Sequence, residues 1–405
     1  MIGIEPVFDS VPDEKEVRDG SVNRRFETQS QLQIICTRLI WLHIYFQVIS
    51  MAIEAGILST IGKTPLVVLN KLFPDTSSKF YAKLEMFNPG GSAKDRTAFL
   101  MLSKAMDDGE LGQHSTVIES SSGNLAIGLA QICRYLELNL IVVTDPNINR
   151  HTLDIIQAYG AQVERITEAD SSGNYLKNRL KRVRQLRDTI PDSYWPNQYS
   201  NNLNPEAHHQ TMKEIVDLCP VPPDYILAAT STCGTIMGCA RYAQDHNLKT
   251  KVVAVDAVGS VIFGTSKARR LIPGYGAGKK SDLLDESYID HVFHMTDKEC
   301  VIGCRRLLQH ESILAGGSTG AVVMAAEKMQ SLIPENSSCV LIFPDSGERY
   351  LDTIYNDSWV EKNFDEIEKL APSDFGSNGA YTSIPVMVKN REVINERWTK
   401  VNGEA

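Results

Sequence analysis

Lys94 stands directly behind Gly90, Gly91, Ser92 and Ala93 in the run EMFNPGGSAKDRTA, at what reads as the start of a helix. Small residues let the backbone approach something bulky, and a lysine held in that approach is placed for chemistry. Two other stretches carry chemistry of a complementary kind. Ser231, Thr232, Cys233, Gly234 and Thr235 lead into IMGCARYAQ, which reads as a helix. Free amides at a helix N-terminus, three hydroxyls and the helix dipole make a cradle for phosphate. Ser120, Ser121, Ser122, Gly123 and Asn124 open the helix LAIGLAQIC in the same way and suit a carboxylate. Taken singly, each loop is read equally well as an ordinary capping turn.

The elements that must position these residues follow from the pattern around them. Short β-branched runs, PLVVL, TVIES, LNLIVVTD, AQVERI, DYILAAT, KVVAVDA and SCVLIFPD, alternate with helical stretches such as 97–108, 124–136 and 151–159. Strands alternating with helices predict βαβ units and a parallel sheet covered on both faces. Ligand sites in such sheets lie at the carboxyl ends of strands. Four turns rich in hydroxyls and glycine are expected there: 120–124, 231–235, 316–320 after ESILA, and 344–349 after VLIF. Together they imply a composite pocket on one sheet.

Other chemistries lose ground. GKT at 62–64 resembles the tail of a nucleotide-binding loop, but Gly56 is one residue too far upstream and Pro65 follows where a helix should run. No dinucleotide fingerprint follows a strand. The 405 residues carry a formal charge of -9, which argues against nucleic-acid or anionic-membrane partners and for a small ligand. The eight cysteines are scattered without a C-x-x-C pair, as expected of reduced cytosolic thiols, and no metal is expected. His208 and His209 are expected to be solvated. Residues 1–50 read as an extension that is appended or wrongly included, with an amphipathic docking helix as the second reading. Their apolar run is interrupted by Arg38, His43 and Gln47 and does not reach a spanning length.

A lysine beside a phosphate loop, a carboxylate loop and neutral hydroxyls is what pyridoxal phosphate needs. Residues 55–365 resemble the fold type II pyridoxal-phosphate enzymes, relatives of cysteine synthase and cystathionine β-synthase. IGKTPLVVL, NPGGSAKDR, ESSSGN, NPEAHHQT, GTIMG, ILAGGSTGA and PDSGERYLDT occur in that order. The resemblance implies two twisted open α/β domains with the cofactor in the cleft between them. The large one would comprise 51–86 and 191–365, the smaller mobile one 87–190, and 366–405 a tail. It also implies pyridoxal 5'-phosphate as cofactor, bound to Lys94 as an imine, with the preceding small residues giving it room. Asn124 would bond its phenolic oxygen, while Ser121, Ser122 and Gly123 grip the substrate carboxylate. Ser231, Thr232, Cys233, Gly234 and Thr235 would hold the phosphate, and Ser318 would face the ring nitrogen. A neutral hydroxyl there leaves the ring a weak electron sink, which suits β-elimination and replacement over transamination. A cytoplasmic homodimer is expected of the family.

Two departures separate the chain from cysteine synthases proper: STCGT replaces a glycine-rich phosphate loop, and Leu125-Ala126 follows Asn124. A narrower set, YWPNQYSNNLN, VVAVDAVGSVIFG, IPGYGAG, GCRRLLQHESILAGGSTG and PDSGERYLDTIYNDSWVEK, resembles the N-(2-amino-2-carboxyethyl)-L-glutamate synthases of siderophore pathways. That resemblance implies O-phospho-L-serine and L-glutamate as substrates, with Arg179, Tyr199 and Ser231 meeting the leaving phosphate. An arginine fork with hydroxyls suits a dianion better than an acetyl group. Sulfide-using cysteine synthesis from acetylserine or phosphoserine is the nearest alternative, and a cofactor-binding sensor docking through residues 30–57 is the non-enzymatic one.

Overall fold

A computed structural model describes residues 56–74, 76–169 and 175–367. The readings made for residues 1–50 and for the tail beyond 367 lie outside the described residues. Residues up to Thr60 and residues from Ile61 onward are separate compact units. Of the first, one turn of 3-10 helix, Ile57–Thr60, is described. Among the described residues, no helix is long and apolar enough to cross a membrane.

From Ile61 onward the chain builds two sheets. The larger has the order β1-β2-β10-β7-β8-β9, from β1 (Leu66–Val68), β2 (Lys79–Leu84), β7 (Tyr225–Ala229), β8 (Lys251–Ala257), β9 (His291–Met295) and β10 (Ser338–Phe343). All its neighbours are parallel except β1, which pairs antiparallel with β2. The smaller sheet is wholly parallel, ordered β5-β4-β3-β6, from β3 (Thr116–Ser120), β4 (Asn139–Thr144), β5 (Gln162–Arg165) and β6 (Ser193–Tyr194).

The central strands are apolar on both faces because both faces are covered. In β10, Cys339, Leu341 and Phe343 join one core while Val340 and Ile342 join another. The same alternation divides β7 and β8: Leu227, Val253 and Val255 point one way, Ile226, Val252 and Ala254 the other. A two-residue period therefore feeds two cores from one strand.

Helices connect the strands, and those beginning at Asn124, Gly234 and Gly317 start at turns singled out above. They are α1 (Lys94–Asp107), α2 (Asn124–Tyr135), α3 (Arg150–Ala158), α4 (Leu176–Thr189), α5 (Leu203–Leu218), α6 (Gly234–Asp245), α7 (Asp297–Glu311), α8 (Gly317–Met329) and α9 (Asp357–Asn363). Helix α7 begins with a reciprocal cap, in which Thr296 Oγ1 accepts from the Glu299 amide and the Glu299 carboxylate accepts from the Thr296 amide at 2.7 Å.

Two expectations are corrected here. The four turns do not come from one sheet: 120–124 leaves the smaller sheet, whereas 231–235 and 344–349 leave the larger. ESILA is not a strand, since its first residue ends α7, Ser312 caps it in the left-handed region at φ 57°, and the rest is a linker to α8. Gly320 of GGSTG and Gly303 of α7 serve packing between those helices. A Cβ on Gly320 would lie 2.0 Å from the Cys300 carbonyl oxygen, and one on Gly303 would lie 2.2 Å from the Gly320 carbonyl oxygen.

Candidate active site

Lys94 is the first residue of α1 and is half-buried. It lines a cavity of about 430 Å³ and also a recess of about 30 Å³ formed with residues 231–235. Burial lowers its pKa, opposed by the negative potential of Asp345 and Cys233. Its neutral amine is thus more available than that of an exposed lysine. The start of α1 is anchored by a buried network two residues on. Arg96 donates to Glu85 and Glu214 at 2.7 Å each, and Lys83 donates to Glu214 at 2.7 Å. Against the effect of burial, these cations hold the Glu214 carboxyl down to about 2.

Gly90 and Gly91, before Lys94, make room for groups of the protein itself. Gly90 donates its amide to the Asp95 carboxylate at 2.6 Å, and a Cβ there would sit 2.7 Å from that carboxylate. Gly91 takes φ +83°, and its Cβ would lie 2.7 Å from Arg349 Nη2. Arg349 donates to the Gly90 carbonyl at 2.8 Å. Two glycines therefore make room for a carboxylate and a guanidinium of the protein itself.

That guanidinium reaches the carboxylate loop as well. Arg349 Nη1 donates to Asn124 Oδ1, and Asn124 Nδ2 donates to Asp345 Oδ2 at 2.8 Å. Tyr350 donates to the same Asp345 oxygen at 2.7 Å. The Asn124 amide is clamped from both sides, with one Nδ2 hydrogen left for a ligand. Asp345 Oδ1 is buried without a partner. Ser121 and Gly123 line the large cavity with Asn124. Ser122 lines it too, but its hydroxyl is engaged: it accepts from Arg179 Nη1 and from Thr144 Oγ1 at 2.9 Å, and donates to Asp145 at 3.4 Å. Its capacity is filled by protein, so a substrate carboxylate can use its backbone amide rather than its side chain.

Residues 231–235 wrap the N-terminus of α6. Cys233 is the N-cap, in the left-handed region at φ +65°. Burial pushes its thiol up to about 12, so it stays protonated. Behind the loop stands Asn204, fully buried, donating to the Gln198 carbonyl at 2.8 Å and to Thr232 Oγ1 at 3.1 Å. A Cβ on Gly234 would lie 1.9 Å from Asn204 Oδ1. His208 is not solvated as expected: it is fully buried, with Nε2 3.2 Å from Thr235 Oγ1 and Nδ1 3.1 Å from Thr211 Oγ1. Burial first, and the nearby Lys94 cation second, keep it neutral at a pKa well below its usual value.

Arg179, Tyr199, Ser231 and Thr232 line the large cavity together with Arg270 and Arg349. Arg179, on α4, pairs with Asp145 at 3.1 Å, and its side chain is 13% exposed. Burial raises the Tyr199 pKa, with Arg179 opposing, so the phenol is a hydrogen-bond donor. Ser318 is buried in the first turn of α8 and is not among the residues lining either space. Beneath the carboxylate loop, Glu119 is buried and its carboxyl is pushed up to about 7, chiefly by desolvation. Asn204, His208, Asp145, Asp345 and Arg349 had been given no role from sequence. The PDSGERY motif held the only signal for the last two.

Residues 57–345 match the family model described as pyridoxal-phosphate dependent enzyme. Solved structures similar to this chain include an O-acetylserine-dependent cystathionine β-synthase from Helicobacter pylori, 32% identical, covering 75% of this chain and 99% of that one, with a TM-score of 0.69. Cysteine synthase from Entamoeba histolytica is 28% identical over 79% of this chain and 94% of that one, with a TM-score of 0.71. An O-ureido-L-serine synthase is 28% identical over 76% of this chain and 99% of that one, with a TM-score of 0.68.

Proposed function

The chain belongs to the family of pyridoxal-phosphate-dependent enzymes, and from that premise we propose that it joins O-phospho-L-serine to L-glutamate, giving N-(2-amino-2-carboxyethyl)-L-glutamate and phosphate. The residues fit the family's cofactor. Lys94 is a half-buried amine facing both spaces, the loop 231–235 offers hydroxyls and helix amides for a phosphate, and Asn124 keeps one amide hydrogen free. Pyridoxal phosphate held by Lys94 would supply the electron sink that acidifies the donor's Cα proton and lets its β-substituent leave.

The remaining work falls to the chain. Ser121, Gly123 and the amides at the start of α2 would hold the donor carboxylate, aided by the helix dipole. The Lys94 amine, its pKa lowered by burial, would take the Cα proton and later return it. Arg179, Tyr199 and Ser231 would meet the departing phosphate, and the Asp145 pairing holds Arg179 in place to do so. The neutral, protonated Cys233 adds no charge against a bound phosphate.

One observation carries the choice of donor. Arg179, Arg270 and Arg349 line the cavity against a single lining carboxylate, Asp145, which is already paired with Arg179. Such a surplus of positive charge suits a donor with both a carboxylate and a phosphate better than one with an acetyl ester. The relatives named for acetylserine or cysteine show that the wider group accepts other donors and acceptors. The test is phosphate release and product mass from purified protein given O-phospho-L-serine with L-glutamate or with sulfide. A glutamate adduct with equimolar phosphate supports the reading, whereas cysteine as sole product removes it.

A further inference from the structure

Next to the large cavity lies a second opening of about 880 Å³, lined mainly by the loop 259–278. The two share Asp145, Asn147, Arg270, Pro273 and Gly274, so they are continuous. Arg269 and Arg270 line this vestibule against one lining carboxylate, Asp145, which Arg179 already neutralises. Arg269 is exposed and makes no hydrogen bond or ion pair with any described residue. The loop that presents it is held firmly. The Leu271 and Ile272 amides donate to Asp297 at 2.7 and 3.2 Å, and Arg270 Nη1 donates to the Tyr275 carbonyl at 2.7 Å.

We propose that this vestibule is the acceptor subsite, and that Arg269 and Arg270 select an amino acid whose side chain ends in a carboxylate. The donor's phosphate and carboxylate are matched by Arg179 and the loop 120–124 deeper in. A second cationic surface at the mouth therefore answers to a second anion. Sulfide needs no such surface. An acidic amino acid does, because its amine must point inward as a neutral nucleophile while its carboxylates are held outside. The inference rests on the reading that the acceptor is glutamate, and it adds where and by which side chains glutamate is distinguished from its neutral isostere, glutamine.

The test compares holoenzyme of the full chain with Arg269→Gln and Arg269→Glu. The quantities measured are kcat/KM for L-glutamate and for L-glutamine, and the phosphate burst from O-phospho-L-serine without acceptor. An exposed ion pair of this kind changes binding by roughly fivefold or less. The glutamate-over-glutamine preference should thus fall about fivefold in Arg269→Gln and further in Arg269→Glu, with the phosphate burst unchanged. An unaltered preference in both variants, with wild-type protein still forming the glutamate adduct, overturns the subsite alone. Weaker inhibition by added inorganic phosphate with an unaltered preference also overturns it, assigning the vestibule to the leaving group. Failure of wild-type protein to form any glutamate adduct instead overturns the reading beneath it.

Discussion

Replacing Gly234 with alanine should damage the loop 231–235 through one identifiable neighbour. The new methyl would lie 1.9 Å from Asn204 Oδ1 and 2.4 Å from its Cγ, inside any tolerable contact. Asn204 is fully buried and cannot swing into solvent. Its displacement costs roughly 1–3 kcal/mol as overpacking. It also strains three hydrogen bonds, to Gln198 at 2.8 Å, Thr232 at 3.1 Å and Thr97 at 3.1 Å, each worth about 1 kcal/mol. A total loss of roughly 4–6 kcal/mol follows if all three are lost. Urea unfolding would measure it, and titration with pyridoxal phosphate followed by absorbance should show weaker uptake because Thr232 loses its support. The decisive comparison is a double-mutant cycle with Asn204→Ala. With the obstruction gone, Gly234→Ala should range from neutral to about 1 kcal/mol stabilising relative to Asn204→Ala, because alanine is the better helix former. Equal costs in both backgrounds would refute the assignment of Gly234 to this contact.

Three other outcomes are expected. Arg96→Met leaves two carboxylates of a buried network facing one lysine, which should cost about 3–5 kcal/mol in urea unfolding; a loss under about 1 kcal/mol would contradict the anchoring role. Arg179→Gln should lower kcat/KM for phosphoserine by roughly 10- to 100-fold and for acetylserine by far less, the value of a charge-assisted bond to a dianion; equal losses with both donors would count against contact with phosphate. Glu119, raised in the folded state from 4.5 to about 7, favours folding when protonated, so its stabilisation is present below about 4.5 and lost as pH climbs to about 7. Glu119→Gln should flatten the fall in urea midpoint over that window, and an unchanged slope would show that the carboxyl titrates normally.

How far the molecule could be read from its sequence depended on whether a residue's role was local. Strands β4, β7, β8 and β10 announce themselves because burial on both faces demands continuous apolar runs. Strand β2, KFYAKL, was passed over. Its Lys83 looks like a solvent-facing residue, and only its bonds to the Thr64 carbonyl at 2.6 Å and to the distant Glu214 make its complete burial tolerable. Strand β9, HVFHM, is an edge strand with exposed positions and carries no such run. ESILA looks like a strand because isoleucine and leucine close the end of a helix and its linker.

The site divides in the same way. The loops 120–124 and 231–235 and Lys94 are visible because hydroxyls and glycine at helix starts have a local reason to be there. The Asn124 clamp is not local, since Asp345 lies 221 residues away in the chain. Neither is the support of Thr232 by Asn204. The glycines before Lys94 show how far a local observation reaches. Close approach was legible, but the groups approaching are Asp95 and Arg349, which only the folded chain brings there.

The central claim is that phosphoserine's β-carbon is transferred to the nitrogen of glutamate. Its most direct measurement mixes the protein, loaded with pyridoxal phosphate, with [3-¹³C]-O-phospho-L-serine and ¹⁵N-L-glutamate and follows the ¹³C spectrum. A one-bond carbon–nitrogen coupling on the labelled carbon, growing in step with free phosphate, is the expected result. Phosphate release with the label appearing in pyruvate, or no release at all while acetylserine and sulfide yield cysteine, would contradict it.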